Sequence, residues 1–181
     1  LGTYQDTKTL FAAQVLSDVL CGSNHAPLCR AILEQGLAED VVLGCDEQCM
    51  QPNLLLRVQN FREADLPAIE ATIRNTLTAL CENGLDRAQI EASLASFEFK
   101  LRERDYGTMP RGLVFELEIL SSWLYGGDPA VRLRFGEVFD TLHAAVGTGY
   151  YENLLRRLML ENPHTAEAVS YTHLRAHETE L

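Results

Sequence analysis

The sequence predicts a helix-rich, two-layer α+β fold in which helices pack on a mostly antiparallel sheet, of which this chain holds only part. Apolar residues recur at intervals of three and four along most of the chain, which is the spacing of amphipathic helices. Only two segments have the composition and alternation of strands. Two strands do not make a stable sheet by themselves, so we expect the other strands to lie elsewhere in a longer protein.

The first half of the chain predicts two helices, a strand pair and a third helix. The first helix has Asp6 as its N-cap and Gly22 as its stop, and Asp65 is placed to cap the third helix. The two strands are expected to pair across the loop at residues 49–52. The predicted segments are residues 7–21, 26–35, 37–45, 53–61 and 66–83.

The second half predicts five helices. Asp86 caps the first of them, which runs to about Arg104, and Asp128-Pro129 opens a short helix. The others cover residues 110–125, 135–146 and 150–161. The helix at residues 110–125 is predicted from an apolar stripe of Leu113, Leu117, Leu120 and Leu124.

Composition restricts the class of protein. The chain has 181 residues, of which 46% are hydrophobic and 23% charged, and these values are typical of an ordinary soluble domain rather than a disordered segment. The net charge of −11 argues against a nucleic-acid or anionic-membrane surface and favours basic partners. No apolar run approaches the ~20 residues that span a bilayer, so the sequence predicts no membrane insertion.

The two ends and the cysteines suggest a piece of a longer protein from a reducing compartment. Leu1 is not a methionine, and the residues after it have no features of a secretory signal, so we expect the chain to begin inside a longer protein. An odd number of cysteines in a chain of this size indicates reduced thiols and predicts a cytoplasmic location. The cysteines are Cys21, Cys29, Cys45, Cys49 and Cys81.

Residues 169–181 are expected to be translated sequencing adapter rather than native protein. The stretch VSYTHLRAHET is polar, has no apolar periodicity, and back-translates in frame to a widely used transposase adapter. His173 and His177, with Glu178 beside them, would otherwise look like a metal site. We therefore treat residues 1–168 as one packed unit and assign no metal ligand to the tail.

The sequence contains no complete catalytic or metal motif. Residues 164–168, HTAEA, approach the zinc motif HxxEH, but Ala168 stands where the second histidine is required. Cys21 and Cys29 are separated by seven residues, which is more than structural zinc sites favour, so we expect the cysteines to be small buried hydrophobic residues. Neither a phosphate-binding glycine loop nor a GxSxG elbow is present, and we predict no catalytic residue, metal ligand or cofactor site in this chain.

Arg111 is the single candidate contact residue. It follows Pro110 at the start of a predicted helix, where the helix dipole does not favour a cation. Two explanations stay open. Arg111 forms an ion pair with Glu98 or Glu103 in a helical hairpin, or it faces a substrate or another domain.

Several short segments in a fixed order carry a resemblance to a known family. They are Ala26-Pro27-Leu28, Ile32 to Leu37, Ile90-Glu91-Ala92, Glu98 to Glu103, Pro110 to Leu113, Trp123-Leu124-Tyr125, Asp128-Pro129 and Glu161 to His164. Together they resemble the presequence-protease branch of the pitrilysin/insulinase zinc metallopeptidases, the HxxEH inverzincins. The resemblance covers most of residues 1–168.

The resemblance implies a place for this chain in a large two-halved enzyme. Such enzymes enclose an acidic chamber that degrades unfolded peptides, and residues 1–168 would be part of the second domain of the N-terminal half. The zinc ligands and the catalytic glutamate lie in the preceding domain of that family, so none of them is carried onto this chain. The resemblance thus implies zinc in the parent protein, unfolded and basic peptides as partners together with the other domains of the same chain, and the mitochondrial matrix for a eukaryotic parent.

Two other classes of function stay open. The parent could be a catalytically inactive homologue that serves as a scaffold or peptide-binding subunit, in which case HxxEH would be missing upstream. Alternatively, residues 1–168 could be an independent helical interaction domain, which should unfold cooperatively by itself.

Overall fold

The computed structural model describes residues 1–103 and 107–170 and has the predicted helix-rich α+β fold. The helices are α1 (Thr7–Cys21), α2 (Pro27–Leu33), α3 (Leu66–Asn83), α4 (Arg87–Glu103), α5 (Arg111–Trp123), α6 (Gly136–Ala144) and α7 (Tyr150–Leu155). The strands are β1 (Asp40–Asp46) and β2 (Asn53–Gln59). The predicted extension of α4 to Arg104, and the histidines His173 and His177, lie outside the described residues.

Strands β1 and β2 form the predicted antiparallel pair. Their register runs from Asp40 opposite Gln59 to Asp46 opposite Asn53. Val41 and Leu43 alternate along β1 and turn into the core, whereas Val42 between them is 44% exposed. Within residues 1–103 and 107–170 the sheet has two strands.

Helix α1 lies at the centre of the fold. It contacts β1 on one side and α2, α4, α6 and α7 on the others. The Phe11 ring lies 5.2 Å from the Phe97 ring and 5.5 Å from the Phe139 ring, centroid to centroid. Because aromatic rings bury large apolar areas, this cluster holds α1, α4 and α6 together.

Two of the three predicted N-caps are confirmed and one is wrong. The Asp6 carboxylate accepts a hydrogen bond from the Thr9 backbone N–H (3.0 Å), and the Asp86 carboxylate accepts one from that of Ala88 (2.9 Å). Asp65 precedes α3, but its backbone is already helical, because a 3-10 turn (Glu63–Asp65) leads into the helix. Its carboxylate therefore accepts from Arg62 Nε (2.6 Å) and not from the helix.

The helix predicted to open at Asp128-Pro129 is a series of turns. The Asp128 carbonyl oxygen accepts from the Val131 backbone N–H (3.1 Å) and from the Ser122 hydroxyl (2.6 Å). In an α-helix this carbonyl oxygen would accept from the backbone N–H four residues further along the chain. Here it accepts from the N–H three residues along and from a side chain, so the chain forms tight turns.

The last predicted helix changes type along its length. It begins at Tyr150 as expected, but α7 ends at Leu155 and a π-helical turn (Arg156–Leu160) continues it. The Glu161 backbone N–H closes this turn on the Arg156 carbonyl oxygen (3.0 Å). A π-helical turn contains one residue more than an α-helical turn. The apolar spacing of residues 150–161 alone does not indicate this difference.

Candidate functional site

The apolar stripe of α5 faces outward. Leu113 is 44% exposed, Leu117 41% and Leu124, immediately after the helix, 70%, whereas Leu120 is half-buried. The buried residues of α5 are Val114, Ser121 and Ser122. The helix predicted from this stripe is therefore present, but within the described residues its leucines do not enter the core.

Arg111 is the first residue of α5, and its side chain is exposed. Among the described residues, no hydrogen bond or ion pair joins it to Glu98 or Glu103. The Glu98 carboxylate is engaged elsewhere, accepting a hydrogen bond from Arg102 Nε (2.9 Å) and lying 3.3 Å from His143 Nε2. The hydrogen bond from Arg102 lowers the pKa of Glu98 below its ordinary value. The contact of Arg111 with a substrate or another domain stays a prediction.

A partly buried polar cluster, which the sequence does not indicate, joins three segments of the fold. The Arg132 side chain is 6% exposed, and its guanidinium donates from Nη2 to the Glu47 carbonyl oxygen (2.7 Å) and from Nη1 to the Glu47 carboxylate (3.3 Å). Gln14 Nε2 of α1 donates to the same carboxylate (2.9 Å). Glu47 lies in the β1–β2 loop and Arg132 in the turns after α5, so the cluster connects both to α1.

Burial dominates the electrostatics around Glu47. Burial disfavours the charged carboxylate and raises the pKa of Glu47. The positive charge of the Arg132 guanidinium acts in the opposite direction but does not cancel this effect. The neighbouring Cys45 is half-buried, and desolvation of its thiol raises its pKa to about 12. Two buried polar atoms of the cluster, Arg132 Nε and Gln14 Oε1, have no hydrogen-bond partner among the residues that the structure describes. The arrangement fastens segments of the fold together and holds no reactive nucleophile.

The described residues do not fit a zinc ion. No three of their His, Cys, Asp and Glu side chains come together as metal ligands. Cys21 and Cys29 lie side by side against β1, where the Cys29 thiol contacts the Val41 carbonyl oxygen at 3.2 Å. His164 is exposed, and its backbone N–H donates to Asn162 Oδ1 (2.9 Å).

A cleft of about 610 Å³ lies where α1 and α6 begin. Its two cationic side chains, Lys8 and Arg134, both have partners. Lys8 Nζ lies 4.8 Å from the centroid of the Tyr150 ring, and Arg134 forms an ion pair with Asp128.

Among the described residues, none of the helices is both long and apolar enough to span a bilayer.

The sequence of this chain is similar to that of a known protein family. Residues 1–97 match the family described as the peptidase M16 inactive domain. The chain belongs to the peptidase M16 family. The match covers α1 to α3, both strands and most of α4, which form the centre of the fold around α1.

The M16 domain has relatives in the presequence-protease branch, as the resemblance in the sequence indicated. It is 34% identical to Protein HypA of Clostridium perfringens over 92% of this chain and 17% of that protein. It is 32% identical to Presequence protease 1, chloroplastic/mitochondrial, of Arabidopsis thaliana over 88% of this chain and 15% of that protein. The mitochondrial presequence protease of Aspergillus fumigatus is 26% identical over 90% of this chain and 15% of its own length.

These matches extend beyond the part that the M16 inactive domain covers. The similarity to the Clostridium protein spans 166 residues, so it includes α5 and Arg132 as well as the hairpin. The chain spans only about a sixth of that relative's length. It is a non-catalytic domain of an M16 family peptidase.

Proposed function

We propose that this domain forms part of the wall of an enclosed chamber in a zinc metalloendopeptidase that degrades unfolded peptides. The match to the inactive domain of M16 peptidases carries this proposal. The zinc ligands and the catalytic glutamate then belong to another domain of the same polypeptide, and this domain supports the chamber and contacts the peptide or the other domains. Arg111, exposed at the start of α5, is the residue we assign to such a contact.

The charge of the domain favours basic peptides as substrates. Acidic residues outnumber basic ones by 26 to 15, and the tail assigned to adapter changes the net charge by only one unit. A surface of one sign raises the local concentration of oppositely charged ligands, an effect that weakens as salt is added. We therefore expect unfolded basic peptides to be cleaved faster than acidic peptides of the same length, and the difference to shrink in high salt.

The boundaries and location follow from the same assignment. Residues 1–168 are taken as part of the second domain of the N-terminal half of the parent peptidase, and residues 169–181 as translated adapter. We place the parent in the cytoplasm, or in the mitochondrial matrix if it is eukaryotic. The relatives named as mitochondrial or chloroplastic/mitochondrial presequence proteases support that location.

A peptide-cleavage assay on the full-length parent tests the proposal. We expect cleavage of an unfolded basic peptide, loss of cleavage with a zinc chelator, and recovery when zinc is restored. The Arg111→Ala variant should raise KM if Arg111 contacts the peptide, and Arg111→Lys should recover part of the loss because it keeps the charge. A folded parent that binds the peptide without cleaving it would overturn the peptidase assignment and favour the scaffold or peptide-binding homologue.

A further inference from the structure

Asn83 and Gly84 form an exposed pair at the end of α3. Asn83 is the last residue of the helix, and it is the only asparagine of the chain that a glycine follows. Asparagine is a chemically labile residue. It is most labile before glycine, because no side chain on the next residue obstructs attack on the asparagine amide. The proposed peptidase function makes no use of this pair.

The Gly84 nitrogen is held by the last hydrogen bond of α3. The Gly84 N–H donates to the Leu80 carbonyl oxygen (3.1 Å). The following N–H, that of Leu85, donates to the Glu152 carboxylate (3.0 Å) and not to the helix. Hydrogen bonds at a helix end open more readily than those in its interior, so the Gly84 nitrogen is freed whenever this last bond opens.

Glycine at position 84 also gives the main chain room to rotate. Its φ of +88° lies in the left-handed range, which glycine adopts without strain. Among the described residues, a Cβ built at this position would meet only the Glu152 carboxylate, at 3.8 Å. The peptide between Asn83 and Gly84 can therefore turn toward the Asn83 side chain once the bond to Leu80 opens.

We propose that Asn83 is a site of hydrolytic deamidation in this domain. The deprotonated Gly84 nitrogen attacks Cγ of Asn83, so that a new N–Cγ bond forms, the Cγ–Nδ2 bond breaks and ammonia leaves. Water then opens the cyclic imide at either of its two carbonyl carbons and gives aspartate or isoaspartate. One water is consumed and one ammonia is released, with no change of oxidation state. Hydroxide removes the Gly84 proton, so the rate rises with pH.

The isoaspartate product does not fit the connection between α3 and α4. Its main chain runs through Cβ and Cγ, which adds one carbon atom to the backbone. The connection is only three residues long, from Gly84 to Asp86, and Leu85 in its middle is buried in the core. The Glu152 carboxylate holds the Leu85 N–H, and the Asp86 carboxylate caps α4. The added atom must therefore displace Leu85 or open the first turn of α4.

Timed peptide mapping of the full-length parent tests this site. The parent is kept at pH 7 and at pH 9, and chromatography with mass spectrometry follows the conversion of each asparagine to aspartate and isoaspartate. We expect Asn83 to convert first, to convert faster at pH 9, and to yield both products. Asn75, which is exposed on the same helix but precedes Thr76, is the matched internal control and should keep its amide. Conversion of Asn83 no faster than that of Asn75 would overturn the proposal.

Two variants separate the chemistry from its structural effect. Asn83→Gln lengthens the side chain by one carbon, which slows ring closure, so the conversion at this position should disappear. Freshly prepared Asn83→Asp has the charge of the products on a native main chain. Hydrogen exchange of the Leu85 amide and of the first turn of α4 should be faster in the aged parent than in the fresh parent, and nearly native in Asn83→Asp. Unchanged exchange in a parent that carries isoaspartate at position 83 would contradict the displacement of the connection.

The site is independent of the peptidase assignment. Deamidation of Asn83 in a parent that cleaves no peptide would leave the site established while the peptidase assignment fails.

Discussion

The buried guanidinium of Arg132 donates from Nη2 to the backbone carbonyl oxygen of Glu47 over 2.7 Å, although the two residues are 85 positions apart. This bond and the ion pair beside it join the turns that follow α5 to the loop between β1 and β2. The position of α5 relative to the sheet therefore depends partly on a polar contact.

Arg132→Met should destabilise this part of the domain by about 1 to 2 kcal/mol, because it leaves partly buried acceptors without their donor. The Glu47 side chain is 37% exposed, so water compensates part of the loss and the value falls below that of a fully buried pair. Hydrogen exchange of the backbone amides of α1, β1 and β2 in the full-length parent measures this loss of stability. Arg134→Met is the matched control, since Arg134 pairs with Asp128 at the surface and its removal should leave exchange unchanged. Equal effects of the two substitutions would contradict the role assigned to Arg132.

Glu98→Gln should remove part of the acid sensitivity of the domain. The hydrogen bond from Arg102 lowers the pKa of Glu98, so ionised Glu98 stabilises the fold above its ordinary pKa of about 4.5. That contribution is lost as the pH falls through the lowered value. Exchange measured between pH 6 and pH 3, corrected for intrinsic rates, should show a smaller loss of stability in the variant. Glu91→Gln, an exposed position on the same helix, should follow the native curve.

Gly22→Ala should destabilise the end of α1, although the backbone of Gly22 (φ −68°) is one that alanine favours. A Cβ at this position would lie 2.5 Å from the Asp18 carbonyl oxygen and closer still to the Asp18 carboxylate. Either the helix end or the Asp18 side chain would have to move. Gly36→Ala provides the contrast, because its Cβ meets no atom within 4 Å and its cost comes only from the positive φ of 65°. Faster exchange of the last α1 amides in Gly22→Ala, but not in Gly36→Ala, is the expected result.

The thiols of the domain should differ in reactivity. Burial raises the pKa of Cys45 to about 12 and also raises that of Cys21, so both should be alkylated slowly at pH 8. Cys49 lies in the loop after β1 and should react first. Mass spectrometry of the parent after timed treatment with iodoacetamide checks the order, and Cys49→Ser should remove the fast modification. Early labelling of Cys45 in the native protein would contradict its partial burial and raised pKa.

Residues 1–168 expressed alone should be poorly soluble and inactive with added zinc. The α5 leucines and the edges of the two-stranded sheet would be uncovered, and both promote association. Static light scattering and a peptide-cleavage assay test this. A soluble monomer whose cleavage of a peptide is abolished by a chelator would contradict the expected association and overturn the non-catalytic role.

Local patterns in the sequence were sufficient to predict most of the fold. The spacing of apolar residues in α1, with Asp6 before it, identifies a helix and its first residue, and the alternation along β1 and β2 predicts that the two strands pair, as they do. Asp65 shows where such local reasoning fails, because the 3-10 turn before α3 is formed by its neighbours and changes the backbone that a cap requires.

The contacts of the candidate site were less predictable. Arg132 and Arg134 are two residues apart in VRLRF, and nothing in that segment indicates that the first is buried against Glu47 while the second lies at the surface. The spacing of Leu113 and Leu117 predicts a helix with an apolar side, but a spacing does not specify which surface covers that side. That information depends on long-range packing.

The sequence of the intact gene on both sides of residues 1–168 tests the central claim most directly. We predict an HxxEH motif in the reading frame upstream of Leu1 and a native reading frame in place of VSYTHLRAHET after Ala168. A frame with no HxxEH upstream would contradict the zinc-peptidase parent and favour the scaffold or peptide-binding homologue, and an unchanged tail would return His173 and His177 to consideration as ligands.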